Sequence, residues 1–144
     1  MEILVVVGIL SIVTSMVTYS LASGRKNQIL KNGTGNIVRQ IVDARERTMR
    51  AKDDKSYGVH LESDRAVLFS GAVYSASDTS NEAYLIDTAL EIVNISLNGG
   101  GSDAKFERLS GKSNQYGAME LRFKTNTNLK KTINISKSGL VTAS

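Results

Sequence analysis

The chain has 144 residues, a formal net charge of +4, and no cysteine, proline or tryptophan. That length fits one ordinary domain, and the missing thiols exclude disulfide staples, thiolate metal sites and cysteine nucleophiles while leaving the redox compartment open. Stability must come from packing, and the twelve glycines must supply most of the bends.

The first element opens "MEILVVVGIL", with Glu2 as its one carboxylate, and from Ile3 to Gly24 no residue is charged. As a helix this run covers about 33 Å, against a hydrocarbon core of about 30 Å, which predicts a membrane-spanning segment. Its first basic residues, Arg25 and Lys26, come after the run, the reverse of a secretory signal peptide, although "SLASG" at 20–24 keeps a cleaved signal open. Those two cations would hold the C-terminal side in the cytoplasm unless basic residues precede the helix. Either the orientation is inverted or preceding residues are missing.

The next stretch keeps a helical period to about Lys52, with Ile29, Leu30, Ile37, Val38, Ile41, Val42, Ala44 and Met49 at three- and four-residue steps. "NGTG" (Asn32 to Gly35) interrupts it, and two glycines, each about 1 kcal/mol worse than alanine, predict a kink or a locally unwound turn there. From Ser56 the period becomes two. "YGVHLES" and "RAVLFSGAVY" read as a hairpin turning at Ser63 and Asp64, and "SASDTSNEA" (75–83) as a polar loop. "LEIVNISL", "DAKFERLS", "MELRFKTN" and "KKTINIS" read as further strands, with a terminal strand after a turn at Gly139. The expected architecture is α+β: residues 1–24 as the transmembrane or filament-core half of a long helix, 25–55 as its amphipathic half packed on an antiparallel sheet, and 56–144 as a β-rich head.

Charge is segregated along the chain. Residues 25–55 carry nine basic and four acidic side chains, 56–103 one and seven, and 104–144 eight and two. Such blocks suit either solvated faces or a subunit that meets copies or relatives of itself through complementary patches. Enzyme chemistry finds little support, and no cofactor is expected. His60 sits between Val59 and Leu61 in an expected strand without a matching nucleophile. "SGKS" (110–113) lacks the glycine that a phosphate loop needs five places before Gly111, and a strand follows it, so it reads as a hairpin turn. Asp53, Asp54 and the carboxylates from Asp78 to Asp87 lack the spacing of a calcium loop; a hard cation in the 75–83 loop stays open, and no metal ligand is assigned. Lys112, Arg122, Lys124, Lys130, Lys131 and Lys137 are candidate nucleic-acid contacts, with few aromatic residues free to stack on bases.

A carboxylate heading an apolar helix calls for a partner or for a place at the positive end of the helix dipole. "EILVVVGILSIV" (Glu2 to Val13) resembles the start of a type IV pilin or type II secretion pseudopilin. "DARERTM", "YGVHLESDRAVLF", "DAKFERLSG" and "INISKSGLV" are similar to the H-type minor pseudopilins and the related FimT-like minor pilins, although the proline many pilins carry near the end of this segment is absent. The resemblance implies a non-enzymatic subunit of a secretion pseudopilus or pilus. A basic leader upstream would be cut by prepilin peptidase and the new end N-methylated. Glu2 would pair with a neighbouring subunit's N-terminal ammonium during assembly, with other pilin-like subunits and the assembly platform as partners. It places the chain in the inner membrane as a single-pass protein with the head outside the cytoplasm, and in the filament once assembled. A DNA-uptake minor pilin and an unrelated membrane-anchored binding domain are the alternatives.

Overall fold

The computed structural model describes residues 2–50 and 54–144 and, within the helix, all side chains except those of Glu2, Val13 and residues 15–23. One helix, α1, runs unbroken through Glu2–Met49, about 72 Å at 1.5 Å per residue. In its second half Leu30, Gly33, Thr34, Ile37, Ile41, Ala44 and Thr48 are buried. Their three- and four-residue steps place them on one stripe facing the strands, the pattern expected of a helix half-covered by a core.

No locally unwound turn forms at Asn32–Gly35, which is helical throughout. A Cβ on Gly33 would lie 2.9 Å from Leu90 Cδ1 and 3.2 Å from Leu121 Cδ2. The glycine therefore serves close approach of helix to sheet, and the packing made there offsets its poor helix propensity.

The expected spanning anchor is overturned. Among the described residues no helix is long and apolar enough to cross a membrane. The strongly apolar part of the run, Ile3–Val13, covers only about 16 Å as helix, and beyond it Thr14, Ser15, Thr18, Tyr19 and Ser20 dilute it with hydroxyls that are costly in hydrocarbon. The inner-membrane, single-pass location inferred from that span falls with it.

The strands are β1 (Tyr57–Leu61), β2 (Arg65–Ser70), β3 (Glu82–Leu85), β4 (Leu90–Leu97), β5 (Asp103–Lys105), β6 (Gly117–Phe123), β7 (Lys130–Ile135) and β8 (Val141–Ala143). They divide into two four-stranded antiparallel sheets, ordered β3-β2-β1-β5 and β4-β6-β7-β8. The helix lies across both, and Leu30, Ile37 and Ile41 share one core with Val59, Leu68, Leu90, Leu121 and Ile133. The hairpin at Ser63 and Asp64 forms as expected.

Two local expectations change. β3 arises at the end of what reads as a polar loop, because an edge strand with mostly exposed side chains shows little alternation. "DAKFERLS" stops pairing at Lys105, where Phe106 turns into the core and Gly111 N–H closes a turn on Glu107 O at 2.9 Å.

The helix is joined to β1 through Thr48. Its hydroxyl, fully buried, donates to Ala44 O at 2.8 Å and accepts from Tyr57 N–H at 2.8 Å. Arg47 adds a fork onto Glu82 of β3, one arm at 3.0 Å, and an ion pair with Asp43 at 2.7 Å. These hydrogen bonds raise the guanidinium further above its already high range, Glu82 contributing most.

Candidate assembly surface

Ahead of the packed stripe, α1 presents an apolar surface to solvent. Ile3, Leu4, Val5, Val6, Val7, Ile9, Leu10 and Ile12 are 54–79 % exposed. At 100° per residue, Val5, Val6 and Val7 alone point to three sides, so the segment is apolar all round, a pattern that a helix shows where it is to be surrounded by other apolar groups. The hydroxyls described here turn inward: Ser11 Oγ donates to Gly8 O at 2.8 Å and Thr14 Oγ1 to Leu10 O at 2.6 Å. Each large side chain here would gain roughly 1.5–3 kcal/mol on full burial, and all eight keep more than half of their surface exposed. The side chain of Glu2 lies outside the described set; its backbone is the first residue of α1.

The six basic candidates do not converge. Arg122 Nε donates to Glu91 at 2.8 Å and Lys130 Nζ to Glu120 at 2.8 Å, which holds the Glu120 carboxyl below its usual range, with Asn94 assisting. Register pairs Arg122 with Lys130 but Leu121 with Lys131. Leu121 is buried towards the helix, so Lys131 shares the helix-side face, beside Lys31, Thr34 and Val38, while Arg122 and Lys130 point outward. Lys112 and Lys137 lie near one another at the far end of β6 and β7, where Ser113 N–H bonds Lys137 O at 3.1 Å. Lys124 follows β6 at the opposite end, its N–H on Ala89 O at 3.0 Å.

His60 is a half-buried strand residue. Its Nδ1 lies 2.6 Å from Asp103 Oδ1, its Nε2 3.8 Å from Glu62 Oε1, and its ring stacks on Tyr74 at 4.0 Å. Glu62 is further engaged by Arg65 at 2.7 Å, and this contact raises the arginine above its ordinary range. The hairpin turn expected at 110–113 does not form, because β5 and β6 on either side belong to different sheets; the turn lies at 108–110, Gly111 follows it at φ +63°, and no helix follows. Among the described residues no group of three or more His, Asp or Glu is arranged to hold a metal ion, and Asp53 lies outside those residues. Sequence reasoning misses the cluster around His60, since only the β1–β5 pairing sets Asp103 opposite His60.

No protein-family model matches the chain, and neither does any curated protein. Among solved structures, the type IV minor pilin FimU of Pseudomonas aeruginosa (strain PAO1) matches with a TM-score of 0.59 at 13 % identity, over 80 % of this chain and 92 % of that one. At that identity the likeness concerns the fold, and it establishes the pilin-like α+β arrangement of a long helix on antiparallel strands.

Proposed function

We propose that the chain is a structural subunit of a pilin-like filament, not an enzyme, and that it joins its neighbours through the exposed half of α1. The observation that carries this reading is that an all-round apolar segment, Ile3 to Ile12, continues as one helix into a stripe packed on a pilin-like head. An apolar helix projecting from a stable domain is a surface awaiting a partner, and other helices of the same kind bury it without leaving backbone groups unpaired.

Within that reading Glu2 pairs with the N-terminal ammonium of an adjacent subunit, two charges that are less costly together than alone where water is excluded. The pair sets the register of one helix on the next. The finer assignment is to the H-type minor pseudopilins and FimT-like pilins, with the filament assembly platform as a further partner and prepilin peptidase acting on any leader upstream. The supporting residues are those of "EILVVVGILSIV" and "DARERTM".

The test is incorporation of the chain into filaments in its native host. Glu2→Gln is expected to leave the head folded, by circular dichroism, and to lower incorporation at least about tenfold, the effect of roughly 1.4 kcal/mol. Unchanged incorporation overturns the role of Glu2. A deletion strain that loses protein secretion but keeps pili assigns the secretion system, and the converse assigns the pilus.

Nucleic-acid binding is the second reading, favoured by one observation: Lys112, Lys124, Lys131 and Lys137 make no ion pair among the described residues. Their spread over two faces and two ends of the second sheet predicts weak binding, with a shallow dependence on salt. Titration of the chain with duplex DNA at several salt concentrations measures it.

A further inference from the structure

The outer faces of the two sheets are finished differently. On the first sheet the outward-facing Phe69 is only 1 % exposed, because the chain after β2 folds back over it. Tyr74 meets Phe69 edge-on at 5.6 Å and stacks on His60. Gly58 leaves room for the Phe69 ring, whose Cζ would lie 2.8 Å from a Cβ.

On the second sheet, register aligns Ser96, Ala118, Asn134 and Thr142 in one row across all four strands. The row is uncharged, and Ser96, Asn134 and Thr142 are exposed. With Tyr116 and the 61 % exposed Leu140 it borders a shallow depression of about 580 Å³. Ser136 and Ser138 line it, the exposed Lys137 lies between them in the chain, and Lys112 adjoins Ser113, whose N–H bonds Lys137 O at 3.1 Å.

The loop that covers the first sheet has a matching outer side. Val73 is 76 % exposed at its tip. Asp78 follows, its carboxylate accepting from Ser80 N–H at 2.9 Å and Ser80 Oγ–H at 2.8 Å. Those two bonds, with a smaller contribution from the charge of Lys55, hold the acid below its usual range, so it stays ionised at neutral pH. The stretch 56–103 that contains this loop carries seven acids to one base, and 104–144, which carries the depression, eight bases to two acids.

We infer that the 71–81 loop of one copy docks on the second sheet of another copy, with Val73 in the depression beside Tyr116 and Leu140 and Asp78 facing Lys137 and Lys112. This inference rests on the filament reading and adds a second contact to it, between heads. The two surfaces belong to different sheets of one chain, so the contact is heterologous: each copy that offers its loop keeps its own depression free for the next, and the association propagates instead of closing as a dimer. The rim charges steer and orient the encounter, while the apolar contact excludes water.

The absence of cysteine from the chain gives a clean background for cross-linking. Full-length Val73→Cys and Leu140→Cys chains, dispersed in nonionic detergent, are mixed and treated with a short bis-maleimide; Val6→Cys copies treated alongside report helix-to-helix contact. The mixture is expected to yield several-fold more linked dimer than either head variant alone. That excess should fall several-fold between 0.1 and 1 M salt, where the screening length drops from about 10 Å to about 3 Å. Lys137→Glu should lower it, and Asp78→Lys on the partner copy should restore it. No excess while Val6→Cys copies still cross-link overturns the head contact and leaves the filament reading standing. An excess without Val6 cross-linking overturns helix assembly and keeps the head contact, and failure of both overturns both.

Discussion

Residues 3–12 and 30–48 belong to one unbroken helix, with eight aliphatic side chains in ten residues in the first and six in nineteen in the second, and one segment is exposed on every side while the other buries a continuous stripe. What separates them is the distribution of polar residues. In the second segment Lys31, Asn32, Arg39, Asp43 and Glu46 occupy the faces away from the strands, so one side alone is apolar and the intramolecular sheets satisfy it. In the first there is no polar face to leave in water. A helix can thus be finished by its own domain or left for another molecule, and the amphipathic period tells which.

The sharpest way to break this comparison is to place the same charge in each segment. Ile41, with no exposed surface, lies in the core, and Ile41→Asp is expected to unfold the head, since the substitution leaves a charge without a partner and costs more than about 4 kcal/mol. Leu10→Asp should change thermal stability by less than about 0.5 kcal/mol and yet prevent incorporation into filaments. Thermal melts of the two variants, set beside their incorporation, decide it. A destabilised Leu10→Asp head would mean that the exposed segment is part of the domain after all.

The two glycines of "NGTG" sharpen the boundary by a smaller amount. Gly33→Val overpacks the contact with Leu90 and Leu121 and should cost about 1–3 kcal/mol. Gly35 faces open space, with nothing within 4 Å of where a methyl group would stand, so Gly35→Ala should stabilise the chain by roughly 0.5–1 kcal/mol through helix propensity alone. Opposite signs from neighbouring glycines, read in one denaturant series, would separate packing from propensity. Thr48→Val tests the far end of the stripe: it keeps the shape but removes the buried hydrogen bond from Tyr57 N–H, at an expected cost of about 0.5–1.5 kcal/mol.

These positions also mark where the sequence is legible. The spacing of Leu30, Ile37, Ile41 and Ala44 is a local signal, and all four are buried as the period implies. The hairpin at Ser63 and Asp64 is local too. The unbroken helical passage through Asn32–Gly35 is hidden because the packing of Gly33 there involves Leu90 and Leu121, far along the chain. The split into two sheets depends on the β1–β5 pairing, again non-local, and β3 carries too few buried residues to show an alternation. For the candidate surface, the apolar character of residues 3–12 is plain, while the separation of the six basic residues follows from a register that puts Leu121 opposite Lys131 and Arg122 opposite Lys130.

Acid should separate the two segments with the smallest perturbation. Glu120 and Asp78 both titrate below their ordinary range in the folded head, held there by Lys130 and by Ser80 respectively. A carboxyl whose folded value is depressed contributes stability that is complete above its unfolded value, about 4.3 for a glutamate and 3.9 for an aspartate, and that is lost as pH falls through the lower folded value. The head is therefore expected to melt at progressively lower temperature from about pH 4.5 downward, with Glu120→Gln flattening the slope and Asp78→Asn flattening it separately, because the two sites share no partner. No titratable group other than Tyr19 lies between Ile3 and Gly24, and a tyrosine does not titrate in acid. In a Glu2→Gln background that removes the carboxylate heading the helix, cross-linking between Val6→Cys copies at pH values where the head stays folded should not follow this slope. An association that weakened in parallel with the head would tie the exposed segment to the electrostatics of the domain and remove the distinction between them.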